Sequence, residues 1–310
     1  SLRVTKFRAR LPQLDWTQPH VVSAEMRFDD GTIARRELVI NGGFSDSTGT
    51  ELTPVVVTQT GSRVDEKLGG CFSVDGIALR TAAVEKKNAL VLVVKDPDAR
   101  AAVAAMQRLT ADPVSAAISV FRRGTYLADD TTEQIMWPVS QTFAQINEGR
   151  SVLFEHSNEF DAAKTDLVRL LTIPYEVSRV DGLPRQFADA VAVAGVNAMA
   201  LGRRRAVVYL VSDERDRSAH TPAEVRRYLS AIGVPLFVWS LSGPRPDLAS
   251  SWGEVEDTSR RDTLRAAIDR LRRTLEAQRV VWLNVDPLRA LRVDVKESCG
   301  VVTETRRLQQ

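Results

Sequence analysis

Cysteine, histidine and lysine are scarce in this chain, and long apolar runs are missing. There are two cysteines, Cys71 and Cys299, far apart and without CxxC spacing, and three histidines, His20, His156 and His220, none beside a cysteine. Four ligands for a structural zinc ion are therefore not assembled at any usual spacing. The two thiols either form a disulfide or stay free and half-buried. No apolar stretch reaches the roughly 20 residues that cross a bilayer, so no transmembrane helix is expected. G-x-S-x-G, G-x-G-x-x-G and the P-loop are all absent, which leaves a strained-elbow nucleophile and nucleotide binding without support. His156 and His220 read as ordinary surface or cap-side residues.

Charge is nearly balanced, Lys+Arg 42 against Asp+Glu 40, for a net +2. A nucleic-acid binder concentrates positive charge, and this chain does not. Seven of the basic residues are Lys and 35 are Arg, a bias that fits genomic base composition better than a basic surface. Hydrophobic residues at 44% and charged residues at 26% exclude a disordered tail. A chain of 310 residues fits two domains, or one large domain with an appendage. Residues 1–20 lack the apolar stretch of a signal peptide. The chain begins with Ser1 rather than Met, which leaves room for a leader or upstream segment removed from it.

Over residues 1–88 short strands alternate with turns. Val21, Ala24, Met26 and Phe28 sit among polar residues, Asp30-Gly31 supplies a turn, and Ile33 to Ile40 resumes. Asn41-Gly42-Gly43 is a further turn and Pro54 to Thr58 a β-branched run; Cys71 to Val74, Asp75-Gly76 and Ile77 to Val84 form a second hairpin pattern. This grammar predicts an N-terminal β-rich, β-sandwich-like (Ig-like) module over 1–88.

From Ala89 the pattern changes. Ala89 to Val94 is a continuous apolar run, as in a strand covered on both faces of a parallel sheet. A short Ala-rich helix is expected over about Ala99 to Leu109, then a strand at Val114 to Phe121, a weaker one at Val152 to Phe154, and no assignment for 123–150. Phe187, Val191, Ala194, Ala198 and Leu201 recur at helical spacing before Gly202. Ala206 to Val211 follows as a buried strand. Thr221, Pro222 and Glu224 make a capping box with proline at the first helical position. Val225, Leu229 and Ile232 are that helix's inner stripe, and Val234 to Leu241 is the next strand. Strand, helix, strand with tight connections is a βαβ unit, so the fold class is α/β with a mainly parallel, doubly wound sheet. A last helix, about Arg260 to Ala277, buries Leu264, Ile268, Leu271 and Leu275, and Val280 to Val285 with Leu291 to Val295 close the chain as a strand pair.

In this order of elements, the strand ALVLVV at 89–94, DGLPRQFADAVAVAG at 181–195, RRRAVVYLVSDERD at 203–216 and GVPLFVWSL at 233–241 carry a resemblance. Residues from about 89 to 242 resemble a von Willebrand factor A domain. The wider chain resembles the bacterial VWFA-related proteins common in acidobacteria, the tail 271–307 being similar to that family's closing helix, strand pair and arginine-rich finish. The resemblance implies an A-type domain over 89–277, a C-terminal β-strand extension over 278–310 packing on one of the other two parts, and extracytoplasmic placement, with the cytoplasm as the alternative.

It also implies a divalent cation at the C-terminal edge of the sheet, held by an Asp-x-Ser-x-Ser loop, a Thr after a Gly and an Asp at a later strand tip. Mg²⁺ favours hard oxygen ligands in near-octahedral order, and a partner's carboxylate completes the shell. Here the pattern is eroded. Starting the loop at Asp96 puts Asp98 and Arg100 where the serines belong; starting it at Lys95 replaces every ligand. After Gly182 stands Leu183, with no donor oxygen, and only Asp213 keeps its place, followed by Glu214. Arg100 is expected to occupy the vacated metal position, its guanidinium neutralising Asp96, Asp98 or Asp213. The alternative is that the three carboxylates still trap Ca²⁺ or Mg²⁺.

The expected function is a non-catalytic protein-interaction or adhesion module. Its binding edge comprises Asp96, Asp98, Arg100, Gly182, Leu183, Asp213 and Glu214, with no essential metal or cofactor and an unidentified protein as partner. Glu214, Arg215, Asp216 and Arg217 form either a solvated loop or part of that edge. Arg203-Arg204-Arg205 either ends a helix or attracts phosphate. Trp239 is expected in the core, and Trp252, in the loop SGPRPDLASSWG, is a candidate exposed anchor for the partner. The other readings are a structural assembly subunit working through its β-module and terminal strands, and a hydrolase or nuclease using Asp96, Asp98 and Asp213.

Overall fold

The computed structural model describes residues 20–27, 32–40, 52–60, 68–86, 88–110, 126–128, 130–140, 153–174, 183–200, 202–285 and 293–303. The turn at 41–43, the strand expected at 114–121 and Gly182 lie outside these residues. In chain order the strands are β1 (His20–Arg27), β2 (Thr32–Ile40), β3 (Leu52–Gln59), β4 (Phe72–Val74), β5 (Ile77–Ala78), β6 (Thr81–Glu85), β7 (Ala89–Val94), β8 (Thr131–Ser140), β9 (Phe154–His156), β10 (Glu159–Asp161), β11 (Arg204–Leu210), β12 (Leu236–Ser240), β13 (Val255–Asp257), β14 (Gln278–Asn284), β15 (Asp294–Val295) and β16 (Val301–Thr303). The helices are α1 (Arg100–Thr110), α2 (Leu167–Thr172), α3 (Phe187–Ala200), α4 (Pro222–Ala231), the short α5 (Ala249–Trp252) and α6 (Arg261–Ala277).

The main sheet runs β1-β2-β10-β8-β7-β11-β12-β13, with β9 paired to β8 off this path. The segment β8-β7-β11-β12-β13 is parallel throughout. Strands β9 and β10 are antiparallel to β8, and the β1–β2 hairpin adds antiparallel to β10. From β7 the chain goes to β8 on one side and later to β11 on the other, so the strand order reverses between β7 and β11. In a doubly wound sheet the crevice at such a reversal, outside the carboxyl ends of the strands, is where ligands bind.

Helices cover both faces, which is why β7 and β11 read as unbroken runs with every residue buried. On one face Ala89, Val91 and Val93 of β7 and Val208 and Trp239 of the neighbouring strands pack against α1, α2 and α6. On the other, Leu90, Leu92 and Val94 meet Val191, Ala194 and Ala198 of α3 and Val225 and Leu229 of α4. Helices α3 and α4 approach closely at Gly195, where a Cβ would lie 3.0 Å from Leu229 Cγ. The capping box at Thr221 and Glu224 is present, with Pro222 opening α4.

On the side away from β11, β7 pairs with β8, which lies within 123–150, where the sequence supports no assignment. Its opening Thr131-Thr132-Glu133-Gln134 is polar, yet the first three of these are buried. Pro138 stands beyond the last pairing with β7, at Met136, and within a register irregularity against β9, where its missing N–H removes nothing from the ladder.

Two smaller antiparallel sheets complete the described fold: β16-β3-β14-β6 and β15-β4-β5. The strands of the first 88 residues thus divide among three sheets, the first hairpin joining the large one. The closing strands do not pair with each other as expected: β14, which continues α6 without a break, lies between β3 and β6, and β15 pairs with β4. Cys71 and Cys299 form a disulfide, with Cα atoms 6.0 Å apart, beside a core of Leu68, Phe72, Val281 and Val295.

Arg203, just before β11, and Arg204 and Arg205, which open it, belong to the fold rather than to a phosphate site. Arg203 forks onto Glu159 with bonds of 2.8 and 2.7 Å. Arg204 pairs with Asp130 and donates to Leu275 O at 2.9 Å, the last turn of α6. Arg205 donates to Met199 O, Ile232 O and Gly233 O, so one guanidinium serves the carbonyl ends of α3 and α4, where a cation is favoured.

Candidate functional site

A crevice of about 820 Å³ opens at the reversal point, lined by Lys95, Asp96, Asp98, Leu183, Arg185 and residues 210–215 among others. The sequence makes it here because β7 and β11 both end in short polar loops that cannot continue the sheet. Asp96 is the hub. Its Oδ1 accepts from Asp98 N at 2.8 Å, closing a turn just past β7, and its Oδ2 accepts from Ser212 Oγ at 3.1 Å, just past β11. Arg185 Nε lies 3.5 Å from the same Oδ2, and both side chains are 12% exposed. Arg185 Nη1 also donates to Leu183 O at 3.0 Å.

The other acids are matched too. Asp98 accepts from Arg100 N at 2.9 Å, which fixes the start of α1, and from Arg100 Nε at 2.7 Å. These bonds from Arg100 hold its carboxyl below the usual range. Asp213 accepts from Arg245 Nη1 at 2.8 Å, and Arg245 also forks onto Asp247. Asp216 lies just beyond the acidic pair and closes the N-terminus of α3, accepting from Phe187 N at 3.0 Å and Ala188 N at 3.3 Å. Glu214 is exposed, its backbone N–H donating to Ser212 Oγ.

Lys95, the first residue past β7, is 1% exposed and donates from Nζ to Leu171 O at 2.9 Å. Burial pushes its pKa down to about 8, with the neighbouring Asp96 carboxylate acting in the opposite direction. An ammonium at the crevice floor is thus held by one carbonyl of α2 and the field of Asp96.

The structure brings together Asp96, Asp98, Leu183, Asp213 and Glu214 along one edge. Arg100 does not enter the position expected for it: its side chain is 87% exposed and stays on Asp98. Arg185 is the cation beside Asp96. Trp252 is likewise corrected, being buried at 5% exposure with its ring 4.6 Å from that of Tyr209, in the core under α4 and not on the surface. Sequence reasoning missed Arg185, Ser212 and Arg245. Ser212 could have been found, since a hydroxyl directly before Asp213 at a strand tip faces the same crevice.

The donor set that the described residues present at the crevice does not suit a divalent cation. Among the described residues no three His, Cys, Asp or Glu side chains converge to hold a metal ion. A guanidinium stands beside Asp96, Leu183 offers no side-chain oxygen, and Asp98 and Asp213 are turned onto arginines. No helix among the described residues is long and apolar enough to cross a membrane.

No family profile and no curated protein matches the sequence. Among solved structures, proximal thread matrix protein 1 from the mussel byssus, with a zinc-occupied MIDAS motif, is similar at 12% identity and a TM-score of 0.34, over 60% of this chain and 47% of that one. The pilus adhesin SpaC from Lactobacillus rhamnosus GG, in its open conformation, is similar at 11% identity and a TM-score of 0.34, over 77% of this chain and 37% of that one. The chain spans less than half the length of either.

Proposed function

We propose that this chain is a non-catalytic module that docks a protein partner on the loops at the carboxyl edge of its parallel strands, without an essential metal. The observation that carries this reading is the set of arginine partners at the reversal point: Arg185 with Asp96, Arg100 with Asp98 and Arg245 with Asp213. Positive charge that a bound dication would bring is already supplied by the chain itself, and the crevice remains open to an incoming surface. The resemblance of residues 89–242 to an A-type domain agrees with docking at this edge. The disulfide supports an oxidising, extracytoplasmic setting, since such bonds are rare where thiols are kept reduced.

Two measurements test it. Titration calorimetry with Mg²⁺ and Ca²⁺ is expected to give no saturable heat; a micromolar signal abolished by Asp213→Ala overturns the metal-free reading. Replacing Asp96, Leu183, Asp213 and Glu214 by Ala is expected to abolish partner capture while leaving the circular dichroism spectrum unchanged. Undiminished capture would favour a second reading, an assembly role through β6 and β16, which lie at the two edges of the four-stranded sheet.

A further inference from the structure

Within the main sheet lies a group that docking does not use. Glu133, on β8, is fully buried, and among the described residues neither of its carboxyl oxygens has a hydrogen-bond partner. It sits between Val91 of β7, which is apolar, and Phe160 of β10. The charges that act on it are those of Asp161, at the end of β10, and Asp166, the N-cap of α2. The nearby cations are committed elsewhere: Arg27 of β1 bonds Asp161, and Arg204 bonds Asp130 and the end of α6.

Asp161 and Asp166 also shape the segment 161–172, whose Leu167, Leu170 and Leu171 are buried in the core. Asp161 Oδ1 accepts from Ala163 N at 3.0 Å, and Asp166 Oδ1 accepts from Arg169 N at 2.7 Å. The same segment includes Leu171, which lines the crevice and whose carbonyl receives Lys95.

We propose that Glu133 is a proton-operated latch on this segment: with its carboxyl neutral, the 161–166 turn and α2 close one side of the crevice, and with it ionised, repulsion from Asp161 and Asp166 releases them. A fully buried carboxylate with no donor among the described residues is costly to ionise, so its charged form is tolerated only when the segment opens. Consistent with this, burial foremost, then Asp166 and Asp161, raises the Glu133 pKa well above the ordinary value. The closed form therefore binds the proton more tightly than the open form, and closure weakens as pH rises. The effect on the crevice rests on the docking reading; the movement of the segment does not, and is measured on the free protein.

Hydrogen exchange of the Arg169, Leu170 and Ile173 amides, followed by mass spectrometry from about pH 5 to pH 9 and expressed as protection factors, tests the latch. Protection is expected to fall about tenfold per pH unit once pH passes the ordinary carboxyl range. In Glu133→Gln it is expected to stay constant. Asp166→Asn, which keeps a capping side chain but removes one repelling charge, is expected to show a smaller fall and provides the reading if Glu133→Gln does not fold. Protection independent of pH in the wild type, or falling equally in either variant, overturns the proposal. Undiminished partner capture by the variant lacking the Asp96, Leu183, Asp213 and Glu214 side chains, with an intact pH response, would sink the docking reading alone.

Discussion

Lys95 shows what a single position does to this crevice and how far it could be read in advance. Its place directly after six apolar residues put it at a strand tip, and from that its nearness to the reversal point followed. Its acceptor did not, because Leu171 is brought to it by α2, 76 positions away. The same holds for the pairs Arg185–Asp96 and Arg245–Asp213: the acids were legible as loop residues, while the choice of arginine depends on how separate loops fold back. Local spacing favoured Arg100, and it did find the nearest acid, Asp98, but at the surface. Burial lowers the Lys95 pKa from 10.5 to about 8, so between those values the unfolded chain holds more protons than the folded one. Stability contributed here therefore rises with pH through that window, and below about pH 8 the buried ammonium costs on the order of 3 kcal/mol. Lys95→Met is expected to be flat across the same window, so the wild type should gain on it between about pH 7.5 and pH 10 in urea unfolding. An unchanged difference between the two proteins would show that Lys95 does not titrate as a buried group.

Helices in this chain were legible because their signals are local. The Thr221-Pro222-x-Glu224 cap and the Val225, Leu229, Ile232 stripe specify α4 within a dozen residues, and the structure shows the reciprocal bonds: Glu224 N to Thr221 Oγ1 at 3.3 Å and Thr221 N to Glu224 Oε2 at 2.8 Å. Strands were legible only where both faces are apolar, as in β7 and β11. β8 was not, since Thr131, Thr132 and Glu133 are buried by β7, β10 and α2 rather than by any pattern of their own. The β1–β2 hairpin was readable as a hairpin, but its attachment to β10 rests on a pairing of Glu159 with Ile33 that no local rule announces. Thr221→Ala removes the side-chain acceptor and the hydroxyl half of the box, and is expected to lower stability by about 1 kcal/mol. A urea midpoint shift with unchanged slope would register that loss; no shift would mean that α4 is held by its packing and not by its cap.

The chain as a whole is tied together by segments that return late. Helix α6 runs straight into β14, whose first residue, Gln278, is fully buried and exchanges hydrogen bonds of 2.7 and 3.0 Å with the backbone of Arg205 on β11. That amide pair joins the large sheet to the four-stranded one. On the far side of the smaller sheets, β16 pairs with β3 and β15 with β4, and the disulfide spans a sequence separation of 228 residues. A crosslink over so long a loop restricts the unfolded chain over most of its length, so its removal is expected to cost about 2–5 kcal/mol. The double variant Cys71→Ser, Cys299→Ser should therefore melt at lower temperature than the oxidised wild type, and the reduced wild type should match the variant. Because Lys296 N donates to Cys71 O at 3.0 Å and Thr60 N to Gly300 O at 2.9 Å, the backbone around the bond is also held by hydrogen bonds. The native contacts of β4, β15 and β16 should then survive in the variant below its melting transition, with amide protection lost there only in step with global unfolding. Early loss of protection confined to these strands would instead show that the disulfide acts on the folded state, by pinning an edge that does not stay closed without it.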